Sequence, residues 1–185
     1  MLKRIALMVV SSFILFSPSG FCTIENDLTS LDLQRNELLK RVTAQLVSGK
    51  ITIEDAQKLK NDLDNVVKLE TKAKEDPLST PERVQEISST IQQINSRLEA
   101  ATRPTKIWLG IDVRDTVLER KISDTLAQKK ITKTQAEGFK RRLDELKARE
   151  SNGDPTRGFE FDDAMALAVD IQTLNSNIDD AIAGK

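Results

Sequence analysis

The chain of 185 residues contains no histidine, no tyrosine, one cysteine and one tryptophan. The absence of histidine excludes Ser-His-Asp and Cys-His nucleophile relays, zinc sites with histidine ligands and the Glu-x-x-His pairs of di-iron carboxylate proteins. A net charge of −1, from 28 basic and 29 acidic residues, gives no overall basic footprint for a phosphate backbone. We therefore expect a protein without nucleic-acid partners and without a cofactor.

The first 22 residues have the pattern of a secretory signal peptide. Lys3 and Arg4 precede an uncharged apolar run at 5–16, and small residues follow at 17–20. The run is shorter than the about 20 apolar residues that a membrane-spanning helix needs. The pattern predicts export to the periplasm or the extracellular space and no integral membrane span. The alternative interpretation is a buried apolar N-terminal helix.

Cys22 lies at the end of this leader, and cleavage is expected after Cys22 or after Ser19. An alternative is that Cys22 is the lipidated cysteine of a bacterial lipoprotein, although the bulky Phe21 precedes it. If cleavage follows Cys22, the mature chain contains no thiol, so no disulfide stabilises it.

A repeat with a constant offset of 80 residues organises the remaining chain. Identical pairs include Ile51-Thr52 with Ile131-Thr132 and Asn95-Ser96 with Asn175-Ser176. Apolar residues also face apolar residues throughout the register. The repeat predicts an all-α fold made of a tandem repeat of two three-helix antiparallel bundle units. The predicted boundaries are a signal peptide at 1–22, a first unit at 28–102, a linker at 103–107 and a second unit at 108–182.

Each unit is small, since a domain of about this size buries only around 60% of its chain surface. We therefore expect the two units to pack on each other or the protein to form a homodimer.

The spacing of apolar residues predicts the buried face of each helix. Gly49 is expected to end the first helix, Thr52 to cap the second, and Thr80 with Pro81 to open the third. The predicted core positions of the first two helices are Leu31, Leu38, Val42 and Leu46, followed by Ala56, Leu59, Leu63 and Val66.

The third helix of each unit is expected to carry an apolar seam whose positions alternate by three and four residues. Its members are Val84, Ile87, Ile91, Ile94, Leu98 and Ala101 in the first copy, and Ala164, Leu167, Ile171, Leu174, Ile178 and Ala181 in the second. An aspartate at Ile91 or Ile171 is predicted to unfold the copy that contains it.

The turn between the first two helices differs in the second copy. Lys129 and Lys130 stand in this turn, which in the first copy contains Ser48-Gly49, and we expect the tight glycine cap to be lost there. Thr132 and Gln135 instead provide the pattern of a capping box. Before the last helix, Phe159 and Phe161 are expected to cover the end of the bundle, followed by Asp162 as the cap.

One polar cluster recurs on the third helices. Its members are Gln92, Asn95 and Ser96 in the first copy and Gln172, Asn175 and Ser176 in the second. We interpret it as a candidate binding surface; hydrogen bonding to a neighbouring helix, or identity left over from the duplication, is the alternative. Trp108 is a candidate partner anchor or a plug between the units. No metal site is expected, since 154–165 lacks the glycine and glutamate of a calcium loop.

The segments Ile51-Thr52 to Asp55 and Ile131-Thr132 to Gln135 resemble the Leu-Thr-x-x-Gln turn that occurs twice in the CpxP/Spy group of periplasmic helical proteins. In this sequence isoleucine replaces both leucines, and Asp55 stands at one glutamine position. The resemblance implies an ATP-independent chaperone or envelope-stress modulator that holds unfolding clients on a concave helical surface. Similar Gly-x-Ile-Thr hairpins also occur in short bacterial SHOCT-like modules.

Three functions remain compatible with these patterns. The first is an exported, non-enzymatic helical-bundle protein of the cell envelope that acts by protein–protein interaction or scaffolding. The second is a Spy/CpxP-like chaperone, and the third is an enzyme that uses carboxylates alone.

Overall fold

The computed structural model describes residues 20–76, 80–104, 110–151 and 159–184, and every regular element within them is helical. The helices are α1 (Gly20–Val47), α2 (Ile53–Glu75), α3 (Pro81–Ala101), α4 (Arg114–Ala127), α5 (Lys133–Ser151) and α6 (Phe161–Ile182), with a 3-10 turn at Ile111–Val113. The expectation of an all-α chain is confirmed. Most of the predicted leader, Trp108 with most of the predicted linker, and the loop at 152–158 lie outside the described residues.

Helix α1 begins at Gly20, earlier than the expected start of the first unit at Leu28. It therefore includes the last three positions of the predicted leader, and cleavage after Cys22 would leave Thr23 as its first residue. The predicted inner face is confirmed, since all four of its members are buried: Leu31, Leu38, Val42 and Leu46.

The α1–α2 turn has the expected glycine cap. Gly49 adopts φ 69°, its N–H donates to the carbonyl oxygen of Leu46 at 2.9 Å, and the N–H of Lys50 donates to that of Gln45 at 2.9 Å. These two bonds form a Schellman motif. The hydroxyl oxygen of Thr52 accepts a hydrogen bond from the N–H of Asp55 at 2.9 Å, so the predicted cap of α2 is confirmed.

The α4–α5 turn keeps the same geometry, and the expectation that the cap is lost there is wrong. Lys129 lies 80 residues after Gly49 and adopts φ 57°. Its N–H donates to the carbonyl oxygen of Leu126 at 2.9 Å, and the N–H of Lys130 donates to that of Thr125 at 2.9 Å. The hydrogen bonds and the following helix hold the turn in a left-handed conformation even though a lysine occupies it.

The capping box of α5 forms as predicted. The side-chain oxygen of Gln135 accepts from the N–H of Thr132 at 2.8 Å, and the Thr132 hydroxyl accepts from the N–H of Gln135 at 3.2 Å. The cap predicted for α6 is wrong, because Glu160 is the N-cap residue and Asp162 lies in the first turn. Phe161 begins the helix and is buried, so the chain enters α6 two residues earlier than the polar pattern indicates.

A single cluster of buried side chains includes residues from all six helices. The seam positions of α3 and α6 are buried, except that Val84, Ala101 and Ala181 are partly buried. Helices α1, α2 and α3 contact one another, and so do α4, α5 and α6.

Helix α6 joins the two groups because it also packs against α1 and α2. The Nζ of Lys60, in the first half of α2, lies 5.9 Å from the centroid of the Phe161 ring. Helix α6 thus begins beside the first half of α2.

This position gives α6 a second buried face. Phe161 and Ala168 are buried, whereas the corresponding positions of α3, 80 residues earlier, are the exposed Pro81 and the half-buried Ser88. The sequence difference explains why α6, and not α3, lies between the two groups of helices.

Candidate functional site

The first polar cluster lines an open groove between α1 and α3. Gln92 and Ser96 are exposed and Asn95 is half-buried. The groove has a volume of about 650 Å³, which lies in the range of about 300–1,000 Å³ that is usual for ligand sites. Its other lining residues are Leu33, Gln34, Glu37, Leu38, Arg41 and Ile91.

The groove combines an apolar centre with a polar rim. Leu38 and Ile91 belong to the buried core, and Leu33 stands above them with 66% of its surface exposed. Leu33 is not among the site residues predicted from the sequence. Its exposure could have been predicted, because Leu33 lies outside the stripe formed by Leu31 and Leu38 and so must point away from the core.

Asn95 links α3 to α1 through a hydrogen bond. Its side-chain oxygen accepts a hydrogen bond from Arg41 at 2.5 Å, and the same guanidinium lies 3.9 Å from Glu99. The amide of Asn95 also donates to Glu99 at 3.0 Å. Asn95 therefore forms the bond to a neighbouring helix that was the alternative interpretation of the cluster, and Gln92 and Ser96 remain at the open side of the groove.

The second cluster contains the equivalent contact. Lys121 of α4 donates to the side-chain oxygen of Asn175 at 2.6 Å and lies 2.7 Å from Asp179. These three residues follow Arg41, Asn95 and Glu99 by 80 positions. Gln172 and Ser176 are exposed. Among the described residues, α3 and α6 share no extensive contact, so the structure does not combine the two clusters into one surface.

In each half, a partly buried ion pair links the first two helices. Neither ion pair is predicted from the sequence. Glu70 is 2% exposed and accepts from the Nε of Arg35 at 3.0 Å. Arg114 is fully buried and pairs with Glu150, which lies 80 positions after Glu70. The conserved spacing of the two glutamates was the available signal, but their arginines occupy different repeat positions.

Two titratable groups have shifted pKa values, and both lie away from the groove. The N–H of Glu82 and the hydroxyl of Thr80 lower the pKa of Glu82 at the start of α3. A hydrogen bond to Glu119 raises the pKa of Lys147 on α5. Both shifts stabilise the charged form of groups that hold helix ends or helix pairs in place.

The remaining candidates are not positioned in a site. Trp108 lies outside the described residues, and only the backbone of Cys22 is described, within α1. The described residues contain no group of three or more aspartate, glutamate or cysteine residues arranged to hold a metal ion. None of the described helices is long and apolar enough to cross a membrane.

Comparisons with known proteins returned nothing similar. No protein-family model, no curated protein and no solved structure matches this chain.

Proposed function

We propose that this protein is exported and non-enzymatic, that it consists of two copies of a three-helix unit, and that it binds a segment of another protein in the α1–α3 groove. The observation that carries the proposal is the groove itself, in which Leu33 is exposed beside Gln92 and Ser96. An open groove with an apolar centre and a polar rim has the anatomy of a protein-binding surface.

The two-copy organisation is supported by contacts that recur at the repeat offset. Arg41 with Asn95 and Lys121 with Asn175 join the first and third helices of each half in the same way. The turns at Gly49 and Lys129 share one pattern of hydrogen bonds. Independent helices would not be expected to reproduce a contact and a turn in one register.

The chemistry of the groove favours a partner segment with a branched apolar side chain and free amide or hydroxyl groups. Leu33 offers apolar surface, and Gln34, Glu37 and Gln92 offer hydrogen-bonding groups around it. An occupant that covers Leu33 would gain about 25 cal/mol for each Å² of apolar surface removed from water.

Site-specific photo-cross-linking tests this proposal. A photoreactive residue at Leu33 is expected to give a discrete cross-linked product in cells, and the additional substitution Q92A is expected to weaken that product. Val117 of α4 is the matched control, because it is an exposed apolar residue on the first helix of the second half. Products that are equally strong from both positions would show that the groove is not the binding site.

A light-scattering assay separates a binding protein from a Spy-like chaperone. A chaperone suppresses the aggregation of an unfolding client at near-stoichiometric amounts, and L33D is expected to weaken that suppression if the groove holds the client. A protein dedicated to one partner leaves the aggregation unchanged.

Export is tested by cell fractionation with N-terminal sequencing. The proposal expects the protein in the envelope or the medium, with a chain that begins near Thr23. A cytoplasmic protein that retains Met1 and the apolar run would contradict it.

A further inference from the structure

The turn between α4 and α5 carries a concentration of positive charge that the rest of the chain does not share. We define the basic tip as five exposed cations on this turn and the first half of α5, which are Lys129, Lys130, Lys133, Lys140 and Arg141. The only acidic residue at 127–143 is Glu137, which lies 3.8 Å from Lys133, and the nearest acidic residues in the sequence outside this range are Asp124 and Asp144. In the described part of the chain, the other four cations form no ion pair.

The equivalent turn of the first half is not basic. There Lys50 is followed by Glu54 and Asp55 at the start of α2, so positive and negative charges balance. The basic tip is therefore not a property of the three-helix unit but a specific feature of the second half.

Lys129 occupies the position that Gly49 holds in the first turn, so the second turn carries a cation where the first has no side chain.

The basic tip lacks the apolar surface that a specific protein partner requires. Ile131 and Ala136 are buried beneath it, and Phe139 is half-buried. The exposed large apolar residues of the described chain, Leu33, Val67, Val117 and Val169, lie outside the tip. A purely charged surface suits a flat array of anionic groups better than a shaped protein site, because protein interfaces are organised around an apolar core.

Lys121 pairs with Asp179, so the α4–α5 turn lies at the carboxyl end of α6. The source of the anionic groups follows from the proposed location at the cell envelope, where phospholipid headgroups form such a flat array.

We propose that the basic tip binds the anionic headgroups of a phospholipid bilayer. This inference goes beyond the protein-binding groove but rests on the proposed location at the cell envelope. The tip and the groove are on different helices, so each can fail without the other.

Vesicle co-sedimentation tests the proposal with the protein purified as the cell processes it from the full sequence. At low ionic strength the protein is expected to bind vesicles that contain phosphatidylglycerol, to bind phosphatidylcholine vesicles much more weakly, and to dissociate as salt is added. The variant K129Q/K130Q/K133Q is expected to reduce the affinity for the anionic vesicles by about tenfold or more. Circular dichroism checks that the variant remains helical.

The matched control is K58Q/K72Q/K74Q, which removes three exposed cations of α2 and changes the net charge by the same amount. It is expected to bind within about threefold of the unchanged protein. Equal losses in the two triple variants would overturn the proposal, because they would show that net charge alone acts. Equal binding to both kinds of vesicle would overturn it as well, since apolar insertion would then explain the binding. Binding to soluble polyglutamate without binding to anionic vesicles would also overturn the proposal, because it would show that the tip binds acidic proteins.

Discussion

Gly49 and Lys129 are different residues that adopt the same conformation in two equivalent turns. Both positions adopt a left-handed backbone and both complete the same pair of hydrogen bonds. For a residue with a Cβ atom this conformation costs about 1–2 kcal/mol, whereas glycine adopts it freely. The α4–α5 turn is therefore less stable than the α1–α2 turn, although the two turns have the same hydrogen bonds and backbone conformation.

Replacing Lys129 by glycine should stabilise the protein by about 0.5–1 kcal/mol, because the strain removed exceeds the added freedom of the unfolded chain. Urea denaturation measures the change. K130G is the control, since Lys130 does not have a positive φ and should gain nothing. If K129G were no more stable than K130G, the left-handed conformation would carry no strain.

Glu70, unlike Lys129, is a buried charged residue, so a partner inside the fold must neutralise its charge. One of its oxygens accepts from Arg35, while the other is buried without a partner. E70A should destabilise the protein by about 1–3 kcal/mol, because the Nε of the largely buried Arg35 loses its acceptor while the bond from Arg35 to Asp32 remains. Thermal denaturation measures this loss.

Two further variants separate the ion pair from general surface charge. The double change R35L/E70L should recover most of the stability lost in E70A, since buried ion pairs are often replaceable by apolar residues. E145A breaks the exposed pair with Arg142 and should cost less than about 1 kcal/mol. A double variant as unstable as E70A would argue against a role for charge.

At the scale of the helices, α3 and α6 have the same seam but different surroundings. Among the described helices, α3 packs extensively against α1 and α2 alone, whereas α6 packs against four helices and buries two faces. Ala168 of the second face is fully buried, and its counterpart Ser88 on α3 is half-buried.

A glutamate at position 168 should therefore be far more damaging than one at position 88. A168E forces a charge and extra volume into a closed interface and should cost about 3 kcal/mol or more. S88E should cost less than about 1 kcal/mol. Urea denaturation of the two variants measures the difference, and similar losses would mean that α6 has no second buried face.

Much of this element-level architecture could be read from the sequence, because its signals are local. The seams of α3 and α6 and the caps at Thr52 and Thr132 follow from residue spacing and side-chain chemistry. Features that depend on distant parts of the chain could not be read in this way. The left-handed Lys129 is imposed by the helices on either side of it, and the burial of Phe161 and Ala168 depends on which helix α6 meets.

The candidate site was predictable only in part for the same reason. The polar cluster at Gln92, Asn95 and Ser96 is visible in the sequence. That Asn95 bonds to a neighbouring helix, while Gln92 and Ser96 stay exposed, depends on the position of Arg41 on α1. The outward direction of Leu33 follows from its place outside the stripe of α1, but its position beside Gln92 depends on how α3 packs against α1. The pairing of Glu70 with Arg35 requires the register between α1 and α2, which spacing alone does not define.

For the whole molecule, the contacts of α6 with α1 and α2 imply that loss of α6 destabilises the first half as well as the second. The sequence predicts that I171D unfolds the second copy, but α6 also covers α1 and α2. I171D should therefore remove hydrogen-exchange protection from α1 and α2 as well as from α4–α6. Mass spectrometry of peptides from each helix measures the pattern.

The comparison variant is I91D on α3, which shares no extensive contact with α6 among the described residues. It should reduce protection in α3 and in the α1–α2 pair while α4 and α5 keep most of theirs. Protection lost only at 111–182 in I171D would instead establish two autonomous units.

The contact of α6 with α1 and α2 has a consequence for synthesis. Helix α6 follows the other five described helices in the chain, so a growing polypeptide cannot cover the apolar side chains of α1 and α2 that lie beneath α6 until residues near Ile182 have been translated. Until then those side chains remain in contact with water.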